Sequence, residues 1–372
     1  MNPARILILT AGFGDGHNSA ARALAAALEG RASAEVYDPC AAGAPRVNDF
    51  LRKIYRRVTT HSPRLWHRIY RSTERQDFSR QRLPLMRKPE LALARKIRDF
   101  QPDLIVSTYP LYPYFIERLH RETPPCPVVT VITDSIEINA AWRQAPCDFW
   151  CVTDRFTRED LIASGLPAPK VRETGFPVSP RFEKLPPVGS ADPVTPFRVL
   201  FFPTARKPLV RSYMRAVLDS SPDTTITVVL GRNVRTLYRR AAEIKKAYPG
   251  RVKLIGWTSR VPELLSTHHL VVGKAGGATV HEALAARCPM LIHHLVPGQE
   301  EGNLQLLQKI GAGRLTPDAD DLLKALRELL QDDAADWRRQ KKALESFSKP
   351  AAAKRIADIL LDEVGKEGPD FT

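Results

Sequence analysis

The chain reads as an α/β protein of two domains, each a parallel sheet wrapped by helices. A strand, a glycine turn and a helix follow one another at Arg5 to Glu29 and again at Leu270 to Arg287, which is the opening of a βαβ unit. At 372 residues the chain exceeds what one hydrophobic core usually serves, so two domains of roughly 150 to 200 residues are expected. The stretch Glu183 to Pro196, with Pro186, Pro187, Pro193 and Pro196, reads as the linker between them. The expected division is residues 1–182, a linker over 183–196, a second domain over 197–348 and a terminal helix over 349–372.

Composition narrows the class of partner. Lys and Arg outnumber Asp and Glu by 56 to 41, and the pI is near 9.8. An excess of this kind favours an anionic surface or ligand, whether membrane lipid, nucleic acid or phosphate. No apolar run approaches the ~20 residues of a spanning helix, and the N-terminus enters a strand at once, so the expectation is a cytoplasmic protein, soluble or peripheral on a membrane face. Five cysteines, Cys40, Cys126, Cys147, Cys151 and Cys288, are scattered without a CxxC pair and suggest buried thiols.

The first strand, Arg5 to Ala11, runs into Gly12-Phe13-Gly14-Asp15-Gly16-His17 and an alanine-rich helix. A dinucleotide fingerprint would need glycine at position 17, where an imidazole stands. A histidine in the first turn of a helix feels the positive end of the dipole, which lowers its pKa and keeps it neutral, able to take a proton. A capping or packing role is the alternative. From 47 to 88 the βα rhythm gives way to two basic helices split at Ser62-Pro63, bearing Tyr55, Trp66, Arg68, Tyr70 and Phe78. Between Arg52 and Lys88 stand twelve Lys and Arg and two acids, a pattern suited to an anionic bilayer, while a solvated helical cap would look similar. No nucleic-acid motif accompanies it. Strands at Asp103 to Thr108 and Val128 to Asp134 restore the parallel pattern. Asp134 would share a rim with His17, either orienting it, serving as a second base, or simply capping a turn.

The second domain opens with the strand Arg198 to Phe202, followed by Pro203-Thr204-Ala205-Arg206-Lys207-Pro208. Further on, Gly273-Lys274-Ala275-Gly276-Gly277-Ala278-Thr279 lets the backbone approach a ligand and aims free helix amides at it, as a diphosphate requires. Glu282, three residues after Thr279, shares its helix face and could accept both hydroxyls of a ribose. Gln299, Glu300 and Asn303 crowd the next helix start with groups suited to a sugar ring. An ordinary βαβ turn is the alternative. Asp318-Ala319-Asp320 stands at a helix start and reads as capping rather than metal binding, and His268-His269 and His293-His294 point to opposite strand faces. No metal or cofactor is therefore expected.

The segments GKAGGATVHEA and PGQEEGN resemble the donor-site signature of glycosyltransferase family 28, and most closely its monogalactosyldiacylglycerol synthase and processive diacylglycerol glucosyltransferase branch. The resemblance implies a GT-B fold, two Rossmann-like domains facing a central cleft, a UDP-sugar donor, inversion at the anomeric carbon and a diacylglycerol-like acceptor. It places a base at His17 in its loop with Gly14 and Gly16, and a lipid-facing helical insert at Tyr55, Trp66 and Tyr70. It sets the uracil at Gly256-Trp257. The loop after the first strand of the second domain lacks the glycines of many relatives, and Thr204, Arg206 and Lys207 would reach the diphosphate with side chains instead. The family's Thr-Asp, His, Trp pattern is met by Thr133-Asp134 and Trp142, with no histidine between and Asn139 the nearest polar residue. Three other activities share part of this signature: a UDP-sugar epimerase of similar fold, a silent UDP-sugar sensor at the membrane and a dinucleotide oxidoreductase. The sequence leaves the sugar, the acceptor and the oligomeric state open.

Overall fold

A computed structural model describes residues 3–365 except 75, 77, 79–83, 121–123, 205–206 and 299. Arg206 and Gln299 lie outside the described residues. The chain divides into two compact units. The first runs to Pro180 and takes in Val296–Gly302 and the segment from Ala351, and the second comprises Arg181–Leu295 and Asn303–Pro350.

The first unit is built from β1 (Arg5–Leu9), α1 (Asp15–Leu28), β2 (Ser33–Tyr37), α2 (Pro39–Gly43), α3 (Pro45–His61), α4 (Pro63–Thr73) and α5 (Arg87–Phe100). It continues with β3 (Leu104–Ser107), α6 (Tyr112–Leu119), β4 (Val128–Val131), α7 (Ala140–Arg143), β5 (Phe149–Val152), α8 (Arg155–Ala163) and β6 (Val171–Glu173). Its sheet has the order β2-β1-β3-β4-β5-β6, every pair parallel. Apart from Arg5, Ser107 and Thr130, β1 and β3 to β5 are apolar, and every residue but Arg5 is buried, because helices cover both faces, as parallel sheets require. Pro63 starts α4 and ends α3, since proline cannot continue a helix but suits its first turn.

The second unit holds β7 (Phe197–Phe201), α9 (Lys207–Leu218), β8 (Thr224–Val229), α10 (Val234–Ala247), β9 (Val252–Ile255), α11 (Val261–Thr267) and β10 (Leu270–Lys274). After these come α12 (Gly277–Ala285), β11 (Met290–His294), α13 (Glu301–Lys309), whose first two residues belong to the first unit, β12 (Gly313–Leu315) and α14 (Ala319–Glu345). Its sheet order is β12-β11-β10-β7-β8-β9, again all parallel. Two Rossmann-like units of this kind are the GT-B architecture.

Two placements depart from a simple reading in chain order. The Pro-Gly loop, expected within 197–348, is part of the first unit, where Gly302 lies so close to the turn after β4 that a Cβ would overlap the Ser135 carbonyl oxygen. The last helix, α15 (Ala352–Gly365), also packs on the first unit, burying Ile356, Ala357 and Leu360 with Ile6, Ile8 and Leu24.

In each sheet the strand order reverses at one point, between β1 and β3 in the first and between β7 and β10 in the second. Open α/β sheets bind ligands outside the carboxyl ends of the strands at such points. The His17 loop follows β1, and the glycine turn follows β10.

Candidate active site

In the first unit, Gly14 caps α1 at φ +100°, a conformation that favours glycine, and lets the chain turn sharply so that His17 falls in the first helical turn. His17 is only 8% exposed. Its Nδ1 lies 3.0 Å from Thr133 Oγ1. The Thr108 hydroxyl donates to the His17 and Leu9 carbonyl oxygens, each at 3.1 Å, which ties the end of β3 to the helix start. Tyr109 meets the imidazole edge-on at 5.2 Å between centroids, and Trp142 lies against it at 5.9 Å. Burial lowers the His17 pKa to about 4, against a smaller opposing effect of a hydrogen bond to the Thr108 backbone. The imidazole is therefore neutral near pH 7, with burial the main cause rather than the helix dipole.

Asp134 stands on the same rim but holds a different partner. Its Oδ2 accepts the Trp142 indole N–H at 3.0 Å, and Trp142, 2% exposed, packs against His17. Asp134 thus reaches the imidazole through the indole, while Thr133 is the side chain bonded to Nδ1. Burial raises the Asp134 carboxyl to about 6, the Trp142 hydrogen bond works the other way, and the Glu300 charge adds to the rise. Asn139 does not stand in for the missing histidine: it accepts from Ala141 N–H as the cap of α7 and donates to Thr73 Oγ1 at 3.0 Å.

In the helical insert the aromatics follow the helical-cap alternative and pack onto the unit that bears them. Tyr55, Trp66 and Tyr70 are partly buried: Tyr55 meets Phe13 and Trp66 edge-on at 6.2 and 5.0 Å, and Trp66 lies 6.5 Å from Tyr70. Trp142, too, is interior. Aromatic rings gain most by packing on the glycine loop, and the exposed apolar residues are instead Phe50 and Ile54 on α3 and Leu65 and Ile69 on α4. Each pair is four residues apart on one helix face, flanked by exposed Lys53, Arg57 and Arg68. A residue the sequence did not single out, Arg52, donates from Nε to the Gly12 carbonyl at 2.8 Å and fills the space where a Cβ at Gly12 would stand. Its spacing of three from Tyr55 is the signal that would have placed it on the same inward face.

In the second unit, β10 bulges between Gly273 and Lys274 and passes through Gly276 into α12, whose cap has no side-chain hydrogen bond. The amides of Gly277, Ala278 and Thr279 open this helix, and all three residues are partly exposed. Glu282 is partly exposed one turn on, and Lys274 is exposed. Thr204 and Gly256 are partly exposed, while Trp257 is 66% exposed and so is not core packing. Asn303 differs from expectation: it is 1% exposed and donates from Nδ2 to the Ala275 carbonyl at 3.0 Å, so it braces the glycine turn from behind. Glu300, in the first unit, is also buried, and its Oε2 accepts the Val296 N–H at 2.9 Å, fixing the loop in which it sits. Asp318 caps α14 by accepting the Asp321 N–H at 2.8 Å. His269 accepts from Arg198 N–H at Nδ1 and pairs through Nε2 with the Pro193 carbonyl, both at 3.0 Å, an arrangement that holds the ring neutral as a structural brace.

The comparisons with known proteins agree with this geometry. Residues 17–178 match the family described as monogalactosyldiacylglycerol (MGDG) synthase, a match that begins at His17 and includes Asp134 and Trp142. The processive diacylglycerol β-glucosyltransferase of Bacillus thuringiensis is 26% identical over 97% of this chain and 94% of its own. Among solved structures, Acinetobacter baumannii MurG aligns with a TM-score of 0.61 at 14% identity, covering 97% of this chain and all of that one. The UDP-GlcNAc 2-epimerase of Neisseria meningitidis aligns at 0.60 and 12% identity, covering 96% and 99%, so the fold by itself does not separate transfer from epimerisation. On sequence and fold together, this GT-B chain resembles the monogalactosyldiacylglycerol synthase and processive diacylglycerol glucosyltransferase branch of glycosyltransferase family 28.

Proposed function

We propose that the protein transfers a hexose from a UDP-sugar to the hydroxyl of a membrane lipid of the diacylglycerol type, with inversion at the anomeric carbon. The observation that carries this reading is the buried, neutral His17 at the strand-order reversal of the first sheet, with Thr133 on Nδ1. With Nδ1–H donating to Thr133, Nε2 bears the lone pair and takes the proton of the acceptor hydroxyl. The acceptor oxygen then forms its bond to the anomeric carbon as the bond to the UDP oxygen breaks. The free amides at the start of α12 stabilise the departing diphosphate, with Thr279 adding a hydroxyl. Arg206 belongs to the same role by sequence alone. Glu282 takes the ribose, and Trp257 with the Gly256 backbone takes the uracil. Asp134 is a positioning residue: its carboxylate holds Trp142 against the imidazole and favours the imidazolium that forms.

Lipid access falls to α3 and α4. Phe50, Ile54, Leu65 and Ile69 enter the acyl boundary while the neighbouring Lys and Arg meet anionic headgroups. An epimerase has no need of such a surface. The test is to incubate the protein with a panel of UDP-hexoses and diacylglycerol in anionic vesicles and to determine the glycolipid formed and its anomeric configuration. A β-glycoside from an α-linked donor supports the proposal. A free epimerised UDP-sugar, formed equally well without lipid, overturns it in favour of an epimerase.

A further inference from the structure

Trp142 lies against the His17 imidazole and bonds Asp134, so whatever fixes Trp142 shapes the surroundings of the base. It sits in α7, a single turn of four residues. A helix this short closes too few bonds of its own to hold its shape. Within the turn, the Asn139 carbonyl accepts the Trp142 N–H at 2.9 Å and the Asn139 side chain accepts the Ala141 N–H at 3.0 Å. The Ala140 N–H has no such partner inside the turn.

Its partner comes from the end of α4. Glu74, the residue that caps that helix, accepts the Ala140 N–H on Oε1 at 3.2 Å and the Arg143 guanidinium on Oε2 at 2.8 Å. One carboxylate therefore clasps the first and the last residue of α7. Beside it, Thr73 Oγ1 accepts from Asn139 Nδ2 at 3.0 Å and donates to the Tyr70 carbonyl at 2.6 Å. The carbonyls of α7 are held from elsewhere: the Tyr114 hydroxyl donates to Ala141 at 3.1 Å and the Trp150 indole to Trp142 at 2.9 Å. The two bonds of Glu74 are not equal in weight. The Arg143 pair is about a third exposed on each side and adds little by attraction alone; it aims the carboxylate. The bond from a backbone N–H to a charged oxygen is the stronger constraint.

We propose that Glu74 is a positioning residue for the His17 base, acting through α7 and Trp142, so that the helix bearing Leu65 and Ile69 on its outer face also sets the geometry of proton transfer. The inference rests on the reading of His17 as the base. All the groups involved belong to the first unit.

Glu74→Ala removes both bonds, and Glu74→Gln keeps an oxygen for the Ala140 N–H while losing the charge. Each would be assayed well below its Tm, alone and combined with Trp142→Phe, which removes the indole N–H. The expected result is a kcat lowered about 10- to 100-fold in Glu74→Ala, a smaller loss in Glu74→Gln and unchanged KM for donor and lipid. Adding Glu74→Ala to Trp142→Phe should cost nothing further, as a shared route requires. A wild-type kcat in Glu74→Ala, or losses that multiply in the double variant, would overturn the assignment. A second readout needs no turnover: solvent exchange of the Trp142 indole N–H, followed by NMR. Exchange faster by about tenfold in Glu74→Ala, with the amides of β3 and β4 still protected, supports the clasp; unchanged exchange, or a loss of protection shared by β3 and β4, removes it. If the wild-type protein transfers to no lipid, the function proposal fails by itself, and the exchange measurement alone decides whether Glu74 positions Trp142.

Discussion

Replacing Asp134 with asparagine should make the protein more stable above pH 6 while making it a poorer catalyst. The Asp134 carboxyl is held near 6 in the folded chain, mainly by burial, against about 3.9 in an unfolded one. A difference of about two units corresponds to about 3 kcal/mol, and because the side chain is partly exposed, solvent screening brings the expected figure to about 1–3 kcal/mol. The folded state binds the proton more tightly, so below about pH 3.9, where both states are protonated, there is no penalty. Between there and pH 6 the unfolded chain ionises first and native stability drains away, and above pH 6 the full cost is present. Asparagine is nearly isosteric, its amide oxygen can still accept the Trp142 N–H, and it carries no charge. Thermal unfolding of both proteins from pH 4.5 to 8 should show the variant ahead by about 2–10 °C at pH 8 and the two converging toward pH 4.5. A variant less stable than wild type at pH 8, or ahead by the same margin at every pH, would refute the claim that this carboxylate is kept charged at a cost in stability.

Four more outcomes follow from the same geometry. In kcat/KM the wild-type rising limb should lie near pH 6, set by Asp134, and move toward the His17 value of about 4 in Asp134→Asn; a limb that stays near 6 would place the titration elsewhere. Thr133→Val should leave lipid binding intact but lower kcat about tenfold through loss of the Nδ1 partner, and an undiminished kcat would remove Thr133 from the account. Phe50→Ser with Leu65→Ser should weaken sedimentation with anionic vesicles by more than tenfold, since each buried apolar side chain is worth about 1.5–3 kcal/mol; unchanged sedimentation would mean another surface meets the lipid. Acid should loosen the second unit early: burial holds His268 and His269 near 4, so the unfolded state takes up protons first and stability falls as pH drops from about 6.5 to 4, read by hydrogen exchange at β10; protection that is flat across that range would contradict it.

The periodic features of the chain were legible from its residues. Apolar runs marked the strands, the glycine turns marked the reversals of strand order, and Ser62-Pro63 marked the break between α3 and α4. Those signals are local, written in the spacing of a few side chains. What the sequence left hidden is set by tertiary packing. The phase of α3 and α4 around their axes decides that Tyr55 and Trp66 face the glycine loop while Phe50 and Leu65 face outward, and both stripes are apolar enough to have gone either way. The order Thr133-Asp134 did not say which side chain would bond the imidazole, because neighbours on a strand end point in opposite directions. Gln299, Glu300 and Asn303 read as one polar cluster, yet Glu300 and Asn303 are braces turned into the protein. A polar side chain beside a tight turn satisfies the turn's backbone as readily as it does a ligand.

The most direct test of the central claim is acceptor-dependent release of UDP, measured for the wild-type protein and for His17→Ala with diacylglycerol in anionic vesicles and with each UDP-hexose in turn. The account predicts release from a preferred donor only when lipid is present, reduced about 10²- to 10⁴-fold in the variant while UDP still binds. Release at the wild-type rate from His17→Ala would contradict the assignment of His17 as the base.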